Sequence, residues 1–90
     1  MRTDWPAEYE SHWTTLAKKH NVRLPQKATV LTTGGLESWC RKLGLSTSGF
    51  REWTGGMGFK QFVAANSDWS LRATVGLILE LRDEAGPLRG

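Results

Sequence analysis

Few side chains in this 90-residue sequence are of the kinds that carry covalent chemistry. The single cysteine, Cys40, shares a helical face with Leu36, Trp39 and Leu43. That company suits a small buried hydrophobe better than a nucleophile. One cysteine also excludes an intrachain disulfide. His12 and His20 lie eight residues apart with no matching acid or cysteine pattern, and together with Cys40 they are too few for a structural zinc site. Glu8 and Glu10 do not share a helix face. Glu80, Asp83 and Glu84 form an acidic helix end that needs no chemistry to explain it. Gly55-Gly56-Met57-Gly58 precedes Lys60 but lacks the spacing of a phosphate loop, and reads as a flexible connector. With no nucleophile–base pair, paired carboxylates or cofactor loop, the expectation is a protein that is not an enzyme and uses no metal or cofactor.

What remains is charge and hydrogen bonding. The formal net charge is +3, unevenly spread. Residues 1–10 carry net −2, residues 11–64 hold eight basic and two acidic side chains for net +6, and residues 65–90 carry net −1. The basic centre contains Arg41, Lys42, Arg51 and Lys60, with the hydroxyls of Thr47 and Ser48 among them. Such a mixture suits an anionic partner such as nucleic acid.

These side chains need elements to position them, and the apolar spacing is helical throughout. Trp5, Tyr9, Trp13, Leu16 and His20 mark one face of a helix from about Asp4 to His20. Asp4 is placed to cap it, Pro6 falls in its first turn, and Lys18, Lys19 and His20 suit its C-terminal dipole. Asn21 is a good terminator. The stretch to Gly35 is ambiguous: Ala28–Thr33 could be a short strand or a weak helix, ended by Gly34-Gly35. Leu36–Leu43 reads as a short helix broken by Gly44. Ser46 or Thr47 can cap a second one, Thr47–Thr54, carrying Phe50 and Trp53 and stopped by Gly55-Gly56. Met57–Ala65 gives a third, with Phe59, Phe62 and Val63 inward, and Asn66-Ser67-Asp68 gives a turn. Trp69–Glu84 is the clearest helix, stopped by Gly86-Pro87. Its apolar residues, Leu71, Val75, Leu77, Ile78, Leu79 and Leu81, span roughly 200° of its surface, wider than the stripe of an ordinary surface helix. It must be covered on two sides, by the rest of the domain or by a second copy. The expected fold is all-α: one small domain over residues 1–90, of about five short helices.

The segment from Leu36 to Trp53 resembles a helix-turn-helix unit, spanning about 36–54. Two helices crossing steeply need a small residue at the crossing, which Cys40 supplies. A sharp turn four residues on favours positive φ, which Gly44 allows. Leu43 and Leu45 flank the turn, a hydroxyl starts the second helix, and Phe50 and Trp53 face back onto the first. The phrase from Leu43 to Trp53 looks like the recognition segment of transposase, terminase small-subunit and phage or plasmid regulator families. The resemblance implies that Thr47–Thr54 lies in the major groove of double-stranded DNA. Thr47, Ser48 and Arg51 would then read bases, Arg51 by a bidentate contact to guanine. Arg41, Lys42 and Lys60 would meet phosphates. Gly49 inside the second helix and Glu52 beside the phosphate surface depart from that pattern.

The expected function is therefore DNA binding by a regulator of transcription, or an accessory factor, of a bacterium or its mobile elements, as a possible homodimer through helix 69–84. The competing expectation is a protein-interaction module that inhibits or adapts a larger machine, suggested by five tryptophans and short interrupted helices. All five tryptophans are expected in the core. No apolar stretch follows Met1, so no leader is expected. The longest uncharged apolar run, Val75–Leu79, is far below the roughly 20 residues a bilayer requires, so no membrane association and a cytoplasmic location are expected.

Overall fold

The computed structural model describes residues 5–85, with side chains described to residue 83. Five helices follow one another: α1 (Ala7–Lys19), α2 (Thr33–Leu43), α3 (Thr47–Thr54), α4 (Phe59–Ala65) and α5 (Leu71–Ala85). Among the described residues the only extended pairing is an isolated antiparallel bridge between Val30 and Ser70. The small all-α fold expected from periodicity is what forms, with corrections at several boundaries.

α1 begins three residues later than its spacing suggests. Pro6 adopts φ −53°, ψ 145°, so it stands outside the helix as its N-cap, while its carbonyl receives the Tyr9 amide at 3.0 Å. Asp4, the expected cap, lies outside the described residues. At the other end Asn21 takes the left-handed conformation, φ 57°, and the Val22 amide closes back on the Ala17 carbonyl at 2.8 Å. This is the hydrogen-bonding pattern by which a helix ends at an αL residue.

Thr33 opens α2, and residues 28–32 form neither strand nor helix. They make one bridge, in which the Leu71 amide donates to the Thr29 carbonyl at 3.0 Å. Gly34-Gly35 does not end this segment; the two glycines sit in the first turn of α2. Thr32 is the N-cap, its hydroxyl accepting the Gly35 amide at 3.0 Å. The physical reason is that first-turn amides have no intrahelical partner, so a side-chain acceptor can start the helix there.

α4 likewise starts at Phe59 rather than Met57, with Gly58 as N-cap. The connector before it is closed by Thr54, whose hydroxyl lies 2.9 Å from the Met57 carbonyl and accepts the Met57 amide at 3.2 Å. α5 starts at Leu71 rather than Trp69, because Ser70 is occupied in the bridge and its hydroxyl caps the Ala73 amide at 3.1 Å. The expected stop at Gly86-Pro87 lies outside the described residues.

α1 and α2 both pack on α5, and α4 packs on α2. The wide apolar arc of α5 is thus covered within one chain: Leu71, Ala73, Thr74, Val75, Ile78 and Leu79 are buried, and Leu77 and Leu81 are half-buried. Leu16, Leu36, Cys40, Leu43, Phe50 and Phe62 complete the core. Each large apolar side chain buried there contributes about 1.5–3 kcal/mol. Polar ties hold α1 to α5. Arg72 donates to both oxygens of Glu10, at 3.2 and 3.0 Å, and to the Pro25 carbonyl at 2.8 Å. Lys19 donates to Asp83 at 2.7 Å, and its ammonium holds the Asp83 carboxyl below its usual range.

The tryptophans bear out the core expectation in part: Trp39, Trp53 and Trp69 pack against the core without being fully buried. Only Trp13 is fully buried; Trp5, Trp39, Trp53 and Trp69 are half-buried. Aromatic contacts instead run in one chain through the molecule. Tyr9 and Trp13 meet Trp5, Trp5 meets Trp69 edge-on at 5.6 Å, Trp69 meets Phe62, and Phe62 meets Phe50 and Trp53. Phe59 joins at Phe50, 4.7 Å between centroids. Edge-to-face pairs keep favourable geometry with ring edges at the surface, so large aromatics stabilise a small domain without full burial.

Candidate nucleic-acid interface

The joint between α2 and α3 is built from four local devices. Cys40 is buried where α2 meets its neighbours. Gly44 adopts φ 77°, and the Leu45 amide turns back to the Cys40 carbonyl at 2.8 Å. Leu43 is buried and Leu45 half-buried, so the turn is anchored on both sides. Ser46, of the two candidates, is the N-cap of α3, its hydroxyl accepting the Gly49 amide at 3.0 Å. A Cβ at Gly49 would stand 3.0 Å from the Leu45 side chain and 3.3 Å from the capping hydroxyl, so the joint is tightly fitted there. A fifth contact reaches in from α5, where Arg82 donates to the Leu43 carbonyl at the end of α2. That carbonyl has no intrahelical partner.

Thr47, Ser48 and Arg51, one turn apart at the start of α3, are all exposed. Among the described residues none of the three side chains has a hydrogen bond or ion pair, since Ser46 alone performs the capping. The Arg51 guanidinium lies beside Gly58, about 3.5 Å from where a Cβ would stand. Lys60, on α4, is exposed and unpaired among the described residues.

The two cations of α2 are differently engaged. Arg41 donates to Glu37 at 3.2 Å in an exposed i,i+4 pair. Lys42 holds its ammonium 4.5 Å from the centre of the Trp39 ring. Among the described residues Trp39 is the one aromatic outside the chain of ring contacts. Between α2 and α3 lies an open depression of about 310 Å³, lined by Glu37, Cys40, Arg41, Leu45, Thr47 and Phe59. Glu52 is exposed on α3.

The six candidate side chains are exposed on α2, α3 and α4, and sequence reasoning missed three residues that hold them or their helices. Glu37 competes for Arg41, and its i,i+4 spacing was the signal. Trp39 engages Lys42, visible as an i,i+3 pair. Arg82 holds the end of α2 from 39 residues away, which no local pattern could indicate.

Elsewhere His12 Nε2 lies 3.5 Å from Glu80, and His20 Nε2 lies 3.4 Å from Asp83. Among the described residues no group of three or more histidine, cysteine or acidic side chains could hold a metal ion. Among them, too, no helix is long and apolar enough to cross a membrane. The chain matches no known protein family, no curated protein and no solved structure.

Proposed function

We propose that this chain is a small non-enzymatic DNA-binding protein that presents α3 to the major groove, as a regulator of transcription or accessory factor of a bacterium or its phage or plasmid. One observation carries the reading. Thr47, Ser48 and Arg51 project from the first turns of a capped helix, exposed and free of intramolecular hydrogen bonds among the described residues. Side chains that need not break internal contacts give up only water when they meet base edges. Arg41, Lys42 and Lys60 supply the phosphate contacts, which position the helix without reading sequence. Should a homodimer form, the half-buried Leu77 and Leu81 beside Trp53 are the part of α5 left for it.

The test is fluorescence-anisotropy binding to a labelled duplex of about 30 base pairs at about 50 and 200 mM salt. The expected non-specific Kd is around 10⁻⁴ to 10⁻⁶ M at physiological salt, tightening steeply as salt falls. Arg41→Ala and Lys60→Ala should each lower the salt slope by roughly one, and Arg51→Ala should weaken binding, all three leaving the fold intact. Absence of binding at the lower salt overturns the proposal and leaves the competing reading, a protein-interaction module in which α2–α3 is scaffold.

A further inference from the structure

A second cleft, away from α2–α4, lies between the start of α1 and the middle of α5. It is lined by Pro6, Glu8, Tyr9, His12 and Glu80 and encloses about 360 Å³. Its chemistry differs from the basic surface: two carboxylates and an aromatic ring, with the His12 imidazole beside Glu80. Tyr9 is 43% exposed, one of two large hydrophobic residues so exposed among the described residues. The other, Val30, stands in the bridge to Ser70, where its backbone role accounts for its position.

The cleft is held in shape by the core beneath it. The Trp13 indole donates to Glu80 Oε2 at 3.1 Å, and Trp13 is fully buried. Glu80 Oε1 lies 3.5 Å from His12 Nε2. The Tyr9 ring is set by Trp5 and Trp13, with centroids at 5.9 and 5.8 Å. Glu8 is exposed and, among the described residues, has no partner, in contrast to Glu10, which is engaged by Arg72. An oriented ring, an anchored carboxylate and a free carboxylate therefore border one depression.

We propose that this cleft binds an arginine side chain of a partner polypeptide. A guanidinium can stack on a tyrosine face while its N–H groups reach carboxylates at its edge, a combination an ammonium satisfies less well. The carboxylates exclude an anionic partner, and Pro6 and Tyr9 supply the apolar wall against which the arginine stem packs. The site does not depend on α3 or on DNA binding. It gives the chain a second attachment point, for a basic protein segment.

The experiment is a ¹H–¹⁵N NMR titration of the whole chain with a capped arginine-rich peptide. The matched peptide with citrulline for arginine keeps the shape and removes the charge. Expected are shifts concentrated on residues 8–12 and 77–81, largely absent with citrulline. Glu8→Gln and Tyr9→Leu should each weaken binding by roughly two- to fivefold, the range for exposed ion pairs and cation–π contacts. Both positions are exposed, and circular dichroism checks that the variants stay folded. Equal shifts with citrulline, shifts centred on Glu37 and Glu52 instead, or unchanged affinity in both variants would each overturn the proposal. A lysine peptide that binds as tightly as the arginine one would overturn the guanidinium assignment.

Discussion

Trp13 of α1 rests directly on Gly76 of α5, so closely that a methyl group on Gly76 would stand 2.4 Å from the indole. The two helices meet where the largest side chain faces the smallest. A glycine in mid-helix costs about 1 kcal/mol relative to alanine. Here that loss is offset by the approach it permits, because Trp13 is buried and its Nε1 is fixed on Glu80. Gly76→Ala should therefore destabilise the fold despite better helix propensity. Overpacking costs about 1–3 kcal/mol, and each kcal/mol lost lowers the thermal midpoint of a domain this size by about 4–8 °C. A midpoint that rises instead would show that α1 can move away from α5 freely.

Arg82 carries the corresponding duty for the candidate interface. Its guanidinium meets the Leu43 carbonyl, the residue just before the Gly44 turn. Hydrogen bonds to charged donors contribute about 1.5–3 kcal/mol. Arg82→Met keeps the aliphatic stem and removes the bond, so a loss of that order in denaturant unfolding is expected. Hydrogen exchange locates it: amides of Gly44 and Leu45 should lose more protection than those of α1. Uniform loss across all helices would mean that Arg82 serves the core generally rather than the α2–α3 joint.

Two glycines should respond oppositely to the same change. Gly34 sits in the first turn of α2, and nothing lies within 4 Å of where its Cβ would stand. Gly34→Ala should stabilise the chain by about 0.5–1 kcal/mol. Gly44 has φ 77°, where a Cβ crowds the backbone. Gly44→Ala should cost about 1–2 kcal/mol. Thermal melts of the two variants give the signs directly.

These glycines also show what sequence could and could not reveal. Gly44, Ser46 and Asn21 act through their own backbone or their nearest amides, so their roles were readable from type and position. Gly34-Gly35 looked like a breaker because the acceptor that makes it a helix start, the Thr32 hydroxyl, could not be told from any other threonine. The start of α5 was misplaced because a contact from Thr29, 42 residues away, holds Leu71. In the same way the charge of α2–α4 was legible, while the Tyr9–Glu80 cleft and the Arg82 contact depend on packing between distant elements.

If α3 binds DNA as proposed, Glu37 is a brake. Its carboxylate occupies Arg41 at 3.2 Å, with both side chains largely exposed. An exposed pair of this kind is worth about 0.2–1 kcal/mol. Glu37→Gln should leave folding nearly unchanged and tighten duplex binding by roughly two- to fivefold, since Arg41 is freed and a negative charge is removed from the phosphate surface. Combined with Arg41→Ala, the gain should shrink to what the charge change alone supplies. An unaltered anisotropy titration for Glu37→Gln would place Arg41 outside the contact surface.

Cys40 gives a probe of the same joint that is independent of any ligand. Burial pushes its thiol up from 9.0 to about 12. The folded chain thus keeps the protonated form, and the reactive thiolate is withheld across the neutral and mildly alkaline range. The sign follows: a raised pKa in the folded state contributes stability that is full below pH 9.0 and is lost as pH rises towards 12. Labelling by a thiol–disulfide reagent at mildly alkaline pH should be slow and limited by opening of the α2 packing, so its rate should increase in Arg82→Met and Gly44→Ala. A fast rate indifferent to both variants would mean that the thiol is reached without opening the joint.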